Sequence, residues 1–587
     1  MILPTGSPPM PPRFAIASMF VVAACGGDPA PGPGGSSGGG GGAAAAGLED
    51  VWFREISRKA GVAFDHVSGH RKGRFLFPEM SGAGCAIFDY DGDGKMDVFM
   101  VQSGYIAEED LKEVAEGKRA KVTSRLYRNL GGLRFEDVTD KAGVAAAGYG
   151  MGVACADWDG DGDTDLLVTN VGPETLYRNE GNGTFKDVTK DVGGSNGTWS
   201  TGAAFADFDL DGDLDLYVAN YMNWARHREI ECSGPDNKPD YCGPKNYKAQ
   251  AIDSLYRNDG GRFVDVSKAA GLEAAYGNGF GVAIADYDRD GRPDVYVAND
   301  GNANQLWLNK GGLRFVDAAQ IMQCALGPNG GEQAGMGVWT ADFDEDGRFD
   351  IFVTNLRGET NCFYVHDGVD TFFDQYMKYG IGSASLPATG FGCGFADFDH
   401  DGRLDLYVAN GAVQRPYGPP KNPEHPYGEV NQVFRGVDGP KFDEIRRPPG
   451  AMAETLVHGS RGAAFGDLDD DGDVDVVVNN SDAPCYVLEN VAPKQGGWVG
   501  LRVLEKSGAD AVGAEVVATF GGRKRHTMIQ PCLSFCSSND PRVVIGLGAA
   551  KQVDEVRVVW GDGTKEVFGP FAPGAYHALK RGGGRAP

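Results

Sequence analysis

Residues 207–215 read Asp207-Phe208-Asp209-Leu210-Asp211-Gly212-Asp213-Leu214-Asp215, and Leu216-Tyr217-Val218-Ala219-Asn220 follows. Carboxylates stand at positions 1, 3, 5 and 9 of a nine-residue loop, with glycine at 6. Oxygen-only ligands at alternate positions suit a hard cation, and Ca2+ accepts about six to eight of them in flexible geometry. Glycine at 6 permits a positive φ, so the backbone curls around an ion and offers the carbonyl of position 7. The apolar stretches on either side, 203–206 and 216–218, read as strands. The loop therefore joins two strands, unlike the helix-flanked loop of an EF-hand.

The same loop occurs six more times, and each copy keeps glycine at 6. The ligand sets are Asp89, Asp91, Asp93 and Asp97; Asp157, Asp159, Asp161 and Asp165; Asp286, Asp288, Asp290 and Asp294; Asp342, Asp344, Asp346 and Asp350; Asp397, Asp399, Asp401 and Asp405; and Asp467, Asp469, Asp471 and Asp475. With Asp207, Asp209, Asp211 and Asp215 they predict up to seven Ca2+ ions. Successive loops start 68, 50, 79, 56, 55 and 70 residues apart, a unit of about 50 residues with insertions. Repeats of short strands at this period point to a propeller, an array or a solenoid.

A Leu-Tyr-Arg-Asn-like strand follows each loop, at 126–129, 176–179, 255–258 and 306–309, with looser versions at Phe363, Val433 and Tyr486. A Gly-rich turn and a Phe-x-Asp-Val-Thr-like strand come next, starting at Phe135, Phe185, Phe263, Phe315, Phe372 and Phe442. Each unit thus supplies four strands, except the seventh, which lacks its last. The segment 53–57, Phe-Arg-Glu-Ile-Ser, has the missing pattern. An open array would leave two unpaired edges. The expectation is an all-β chain: a seven-bladed β-propeller over residues 48–492, closed by its N-terminal strand. A separate small β domain at 493–580 and a frayed tail at 581–587 complete it.

At 587 residues and 41% hydrophobic, the chain can bury a large core. The formal charge of −27 argues against nucleic acid; seven Ca2+ would bring it to −13. Arg13 and the apolar stretch 14–24 read as a signal peptide over residues 1–25, too short to span a bilayer, which takes about 20 residues. It ends in Val22-Ala23-Ala24-Cys25, which resembles the bacterial lipobox and marks Cys25 for lipidation, a membrane anchor. Met10 is an alternative start. Gly26 favours the outer membrane or cell surface, with plain secretion as the alternative. Residues 26–47 are Gly, Pro, Ser and Ala with one Asp, a flexible tether spanning roughly 25 Å.

Three segments break the repeat. Residues 66–81 carry His66, His70 and Glu79, either transition-metal ligands or a polar loop. Residues 108–121 read as a surface helix. The insertion 221–253 and the Pro-rich loop 416–426 are candidate ligand loops or covers. Without Cys25 ten cysteines remain, compatible with disulfides in an oxidising compartment. Cys232 with Cys242, Cys324 with Cys362 and Cys532 with Cys536 are candidate pairs. From residue 493 the strands 498–504, 514–520, 523–529, 543–545, 553–560 and 565–568 follow without a carboxylate loop.

The Asp-x-Asp-x-Asp-Gly-x-x-Asp units resemble the FG-GAP/VCBS repeats of integrin-α-like propellers. Residues 497–503, 511–516, 545–548 and 556–560 resemble an ASPIC/UnbV domain. The combination resembles the cartilage acidic protein family over roughly residues 50–570, and that resemblance implies an extracellular calcium-binding protein. The chain departs from the family at Pro531-Cys532-Leu533-Ser534-Phe535-Cys536, where a Gly/Ser-rich, Gln-containing stretch is usual.

Gly-x-Ser-x-Gly occurs at 34–38 and 193–197, in the tether and in a loop, so neither is a nucleophile elbow. No zinc-protease, phosphate-loop or dinucleotide motif is present. The sequence argues for binding over catalysis. It predicts an exported, lipid-anchored adhesion module for a protein or glycan ligand. The alternatives are a calcium-dependent polysaccharide lyase or hydrolase and a scaffold for assembling exported proteins.

Overall fold

The computed structural model describes residues 51–145, 148–439, 441–445 and 456–587. The signal peptide 1–25, with Cys25, and the tether 26–47 lie outside the described residues. Seven antiparallel sheets follow one another along the chain. The third is typical: Trp199–Ala206, Asp215–Met222, Ser254–Asn258 and Phe263–Asp265, with the carboxylate loop between its first two strands. In the seventh, Val457–Gly466, Asp475–Ser481 and Tyr486–Asn490 are joined by Phe53–Glu55, in register Phe53 to Asn490 and Glu55 to Leu488. Each first strand packs against the first strands of the sheets before and after it. Val457–Gly466 touches both Gly390–Ala396 and Cys85–Phe88.

Such crowding needs small residues. Gly84, Gly152, Gly202, Gly281, Gly337, Gly392 and Gly462 each stand five residues before the first Asp of a loop. A Cβ on Gly337 would lie 2.0 Å from the Phe391 carbonyl oxygen of the next sheet, and one on Gly202 2.2 Å from that of Phe280. Only glycine lets these backbones meet.

The C-terminal region forms two sheets. Trp498–Leu504 lies between Val543–Gly546 and Tyr576–Lys580, and Glu515–Phe520 between Arg523–Met528 and Glu555–Val559, with Lys565–Phe568 at the edge. Val499, Leu501, Val516, Ile545, Val558 and Trp560 share its core. Two expectations are corrected here. Residues 581–587 are not frayed: Arg581 pairs with Glu505 and Asp562, and Arg585 bridges to Val567. The domain is not separate either, because its segment 531–539 runs into the middle of the sheets. There Ser538 pairs with the strand of Cys85, Val153 donates to Cys536 O at 3.1 Å, and Val338 and Ser534 exchange backbone bonds. Phe535 is buried between Phe280, tilted at 56°, and Phe391, edge-on at 87°, ring centroids 5.0 and 4.9 Å away.

The surface helix is Glu108–Ala115, shorter than expected because Gly117 turns left-handed at φ 69°. Cys232 and Cys242 are bonded, as expected. Cys324, Cys362, Cys532 and Cys536 are buried thiols, which corrects the other two pairings. The Cys362 thiol donates to Gln333 Oε1 at 2.8 Å, while Cys532 and Cys536 pack into different apolar clusters.

Candidate metal centres and the domain that meets them

The loop fold repeats nearly atom for atom. Glycine at position 6 is left-handed in all seven copies, from Gly347 at φ 86° to Gly212 at φ 103°. Position 4 is left-handed as well: Gly92 and Gly160 there are joined by Leu210, Arg289, Glu345, His400 and Asp470. Residues with a Cβ in this conformation cost about 1–2 kcal/mol each, and the sequence pattern alone, with glycine fixed only at 6, hides that requirement.

The carboxylates divide the work. At position 1, Asp207 accepts the N–H groups of Asp211 and Gly212, each at 3.0 Å. At position 5, Asp211 accepts the N–H of Asp213 at 3.0 Å. At position 9, Asp215 is fully buried and takes one backbone N–H on each oxygen, from Phe208 at 3.0 Å and Asn258 at 2.8 Å. The second of these comes from the Leu-Tyr-Arg-Asn strand, so position 9 ties the loop to its own sheet. Asp97, Asp165, Asp294, Asp350, Asp405 and Asp475 do the same.

The asparagine of that strand reaches further. Asn129 Nδ2 donates to Leu468 O, Asn179 to Tyr90 O, Asn258 to Trp158 O, Asn309 to Phe208 O and Asn490 to Phe398 O, all between 2.7 and 3.1 Å. Every acceptor is position 2 of the preceding sheet's loop. Sequence reading found the motif but not this role. The fifth and sixth sheets have His366 and Gly436 at the equivalent place.

Carboxylate oxygens of positions 1, 3 and 9 converge within 4.8 Å in the sets Asp89–Asp91–Asp97, Asp157–Asp159–Asp165, Asp207–Asp209–Asp215 and Asp342–Asp344–Asp350; in the fourth loop the set is Asp286, Asp288 and Asp290. The Oδ1 atoms of Asp91, Asp159 and Asp209 are buried without any hydrogen-bond partner. Such orphaned oxygens are costly unless something positive meets them, and hard oxygen donors fit Ca2+. Burial raises the carboxyl pKa values: Asp157, Asp207, Asp286, Asp342 and Asp467 to about 6, Asp397 and Asp215 to about 7, Asp97 to about 8 and Asp165 to about 9.

The sign of the pH effect follows. A carboxyl raised above its unfolded value stabilises the fold below that value and loses the contribution as pH rises through the folded pKa. Metal-free protein is expected to melt at progressively lower temperature from pH 5 to 8. Protons compete with a bound cation, so the stabilisation by added Ca2+ is expected to grow over the same range. Thermal melts of dialysed protein at pH 5, 6, 7 and 8, with and without Ca2+, check both trends.

The C-terminal domain touches four of the loops. Tyr576 OH donates to Asp467 Oδ2 at 2.7 Å, Gln495 Nε2 to Asp399 Oδ2 at 2.7 Å, Arg502 Nη1 lies 3.5 Å from Asp89 Oδ2, and His526 Nδ1 lies 4.0 Å from Asp342 Oδ2. In contrast, the 66–81 segment is a polar network rather than a metal cluster: His66 bonds Ser103 at 3.0 Å, His70 bonds Tyr241 OH at 2.9 Å, and Arg71 and Arg74 pair with Asp110.

The family model described as FG-GAP-like repeat matches residues 89–168, 159–218, 236–297, 286–353 and 342–408, together more than half of the chain. The model described as ASPIC and UnbV matches residues 504–586. Cartilage acidic protein 1 of Homo sapiens is 26% identical over 310 residues, 51% of this chain and 43% of that protein; that of Xenopus tropicalis is 28% identical over 298 residues, 49% and 42%. The chain thus spans less than half the length of the curated relatives it matches. Among solved structures, an Agrocybe aegerita lectin described by its recognition of non-reducing terminal N-acetylglucosamine is similar at TM-score 0.38 and 15% identity, over 69% of this chain and 86% of that one. A Bacillus licheniformis rhamnogalacturonan lyase is similar at TM-score 0.28 and 11% identity, over 69% and 89%. Likenesses this distant carry no weight for function. The chain belongs to the FG-GAP-like repeat family and carries an ASPIC and UnbV domain.

Proposed function

We propose that the chain is an exported calcium-binding module: a seven-bladed propeller, closed by Phe53–Glu55, that recognises a protein or glycan ligand at the outer membrane or cell surface, to which Cys25 anchors it by lipid. The observation that carries the calcium reading is the sevenfold Asp set with buried, unpartnered Oδ1 atoms at Asp91, Asp159 and Asp209. In each loop positions 1, 3, 5 and 9 would hold the ion, which supplies charge neutralisation to carboxylates that burial disfavours. Its role is structural: an ion that binds only the folded form adds about 2.7 kcal/mol per site at a hundredfold excess over Kd. Melting of the full chain in Ca2+ and in EGTA tests this, and unchanged melting between the two would sink it. Retention of ligands by the calcium-loaded protein tests the binding role.

A further inference from the structure

The carboxylate loops occupy one end of the sheets; at the other, where first strands begin and second strands end, lies a cavity of about 270 Å³. Met80, Phe280, Met336 and Phe391 give it apolar walls. Cys242, held by its bond to Cys232, brings the 221–253 insertion to its edge, and Tyr417 brings the Pro-rich loop. Tyr417, in that loop, is 89% exposed, more than any other large hydrophobic side chain among the described residues.

The polar groups in it are few and under-used. Ser81 is fully buried and its Oγ has no partner. One guanidinium nitrogen of Arg357 is engaged, by Glu429, and no other guanidinium contact of Arg357 occurs among the described residues. Gln414 spends its Nε2 on Tyr241 O at 3.1 Å, which leaves Oε1. Asp300 accepts Tyr221 OH at 2.6 Å through Oδ2. Donors and acceptors thus ring an apolar patch, the arrangement of a small-molecule site.

A wholly apolar occupant would leave Ser81 Oγ buried without a partner and would strip water from the half-exposed Arg357 donors, at a cost. A compact anion would meet Asp300 and Glu429 as well as apolar walls. A pyranose has one C–H face for the aromatic and methionine surface and hydroxyls around its edge for the four polar groups. An apolar cavity of roughly 150 Å³ holds a benzene, so this one has room for a single sugar ring. We infer that this cavity receives one terminal pyranose residue of a glycan, with Tyr417 as the stacking platform and Ser81, Arg357, Gln414 and Asp300 as hydroxyl partners. The inference rests on the binding-module reading and names its ligand class.

The test uses the full chain in Ca2+ with methyl glycosides of glucose, galactose, mannose, N-acetylglucosamine and glucuronic acid, and benzoate as an apolar-ring control, read by saturation-transfer NMR and calorimetric titration. At least one glycoside is expected to bind, at least tenfold more weakly to Tyr417→Ala and severalfold more weakly to Ser81→Ala. Tyr417→Ala, an exposed site, is expected to melt as the parent does. Failure of every glycoside to bind, undiminished binding by both variants, or tighter binding of benzoate than of any sugar would overturn the inference. The glucuronate arm separates an Arg357-directed acidic sugar from a neutral one; either supports the class. Sugar binding that fails while the Ca2+-dependent rise in melting persists removes this inference and leaves the calcium reading intact.

Discussion

Asp215→Ala is expected to destabilise the protein by about 3–5 kcal/mol whether or not Ca2+ is present, because it strands two buried N–H groups, each worth about 1–3 kcal/mol when left unpaired. Phe208 N and Asn258 N both end on this carboxylate, at 3.0 and 2.8 Å. Asp211→Ala removes only the acceptor of an exposed N–H, that of Asp213. It is expected to change melting little in EGTA and to remove one ion's share of the stabilisation in Ca2+. Chemical denaturation of both variants in Ca2+ and in EGTA separates the two roles. If Asp215→Ala matches the parent in EGTA, position 9 is a ligand and nothing more.

That distinction was invisible in the repeat, where positions 1, 3, 5 and 9 are the same residue. Spacing showed that the aspartates act together and that strands flank them, since alternation and turn chemistry are local. The division of labour depends on which backbone N–H each oxygen meets, and the donor for position 9 lies 43 residues away, at Asn258. Two signals were nonetheless present in the sequence. The glycine five residues before each loop recurs seven times; in six its meaning is contact with the neighbouring sheet, and at Gly84 it is contact with Cys536 O of the C-terminal segment. The asparagine ending Leu-Tyr-Arg-Asn recurs because its amide crosses to the preceding loop. The route of residues 531–539 had no such signal: a single apolar stretch between two strands does not say what it enters.

The missing asparagines give the C-terminal domain a role. With His366 and Gly436 in their place, the fifth sheet has no amide bond of this kind to either neighbour. The strand Arg523–Met528 lies across that region. Arg523 pairs with Glu345 of the fifth loop, Arg525 donates to Gly402 O of the sixth at 3.0 Å, and His526 lies against Phe349, ring centroids 4.5 Å apart. Contacts from a second domain thus stand where the repeat's own stitch is absent.

Phe535→Ala is expected to cost about 3–5 kcal/mol, the range for deleting a buried aromatic ring, and to loosen both domains together. Phe535 fills the space between Phe280 and Phe391 at the start of two first strands. Its neighbours bond to several sheets: Ser537 Oγ accepts from Cys85 N at 3.3 Å, Ser534 Oγ from Cys393 N at 3.0 Å, and Asn539 Oδ1 from Phe465 N at 3.0 Å. A void at Phe535 relaxes the segment and weakens these bonds, which link the first, sixth and seventh sheets to the C-terminal core. Hydrogen exchange is expected to rise in the first strands and in Trp498–Leu504 by similar factors. Faster exchange confined to residues 531–539 would make the segment a passenger, and the two domains would then owe their cohesion to loop contacts such as those of Arg502, Gln495, Tyr576, Arg523 and Arg525.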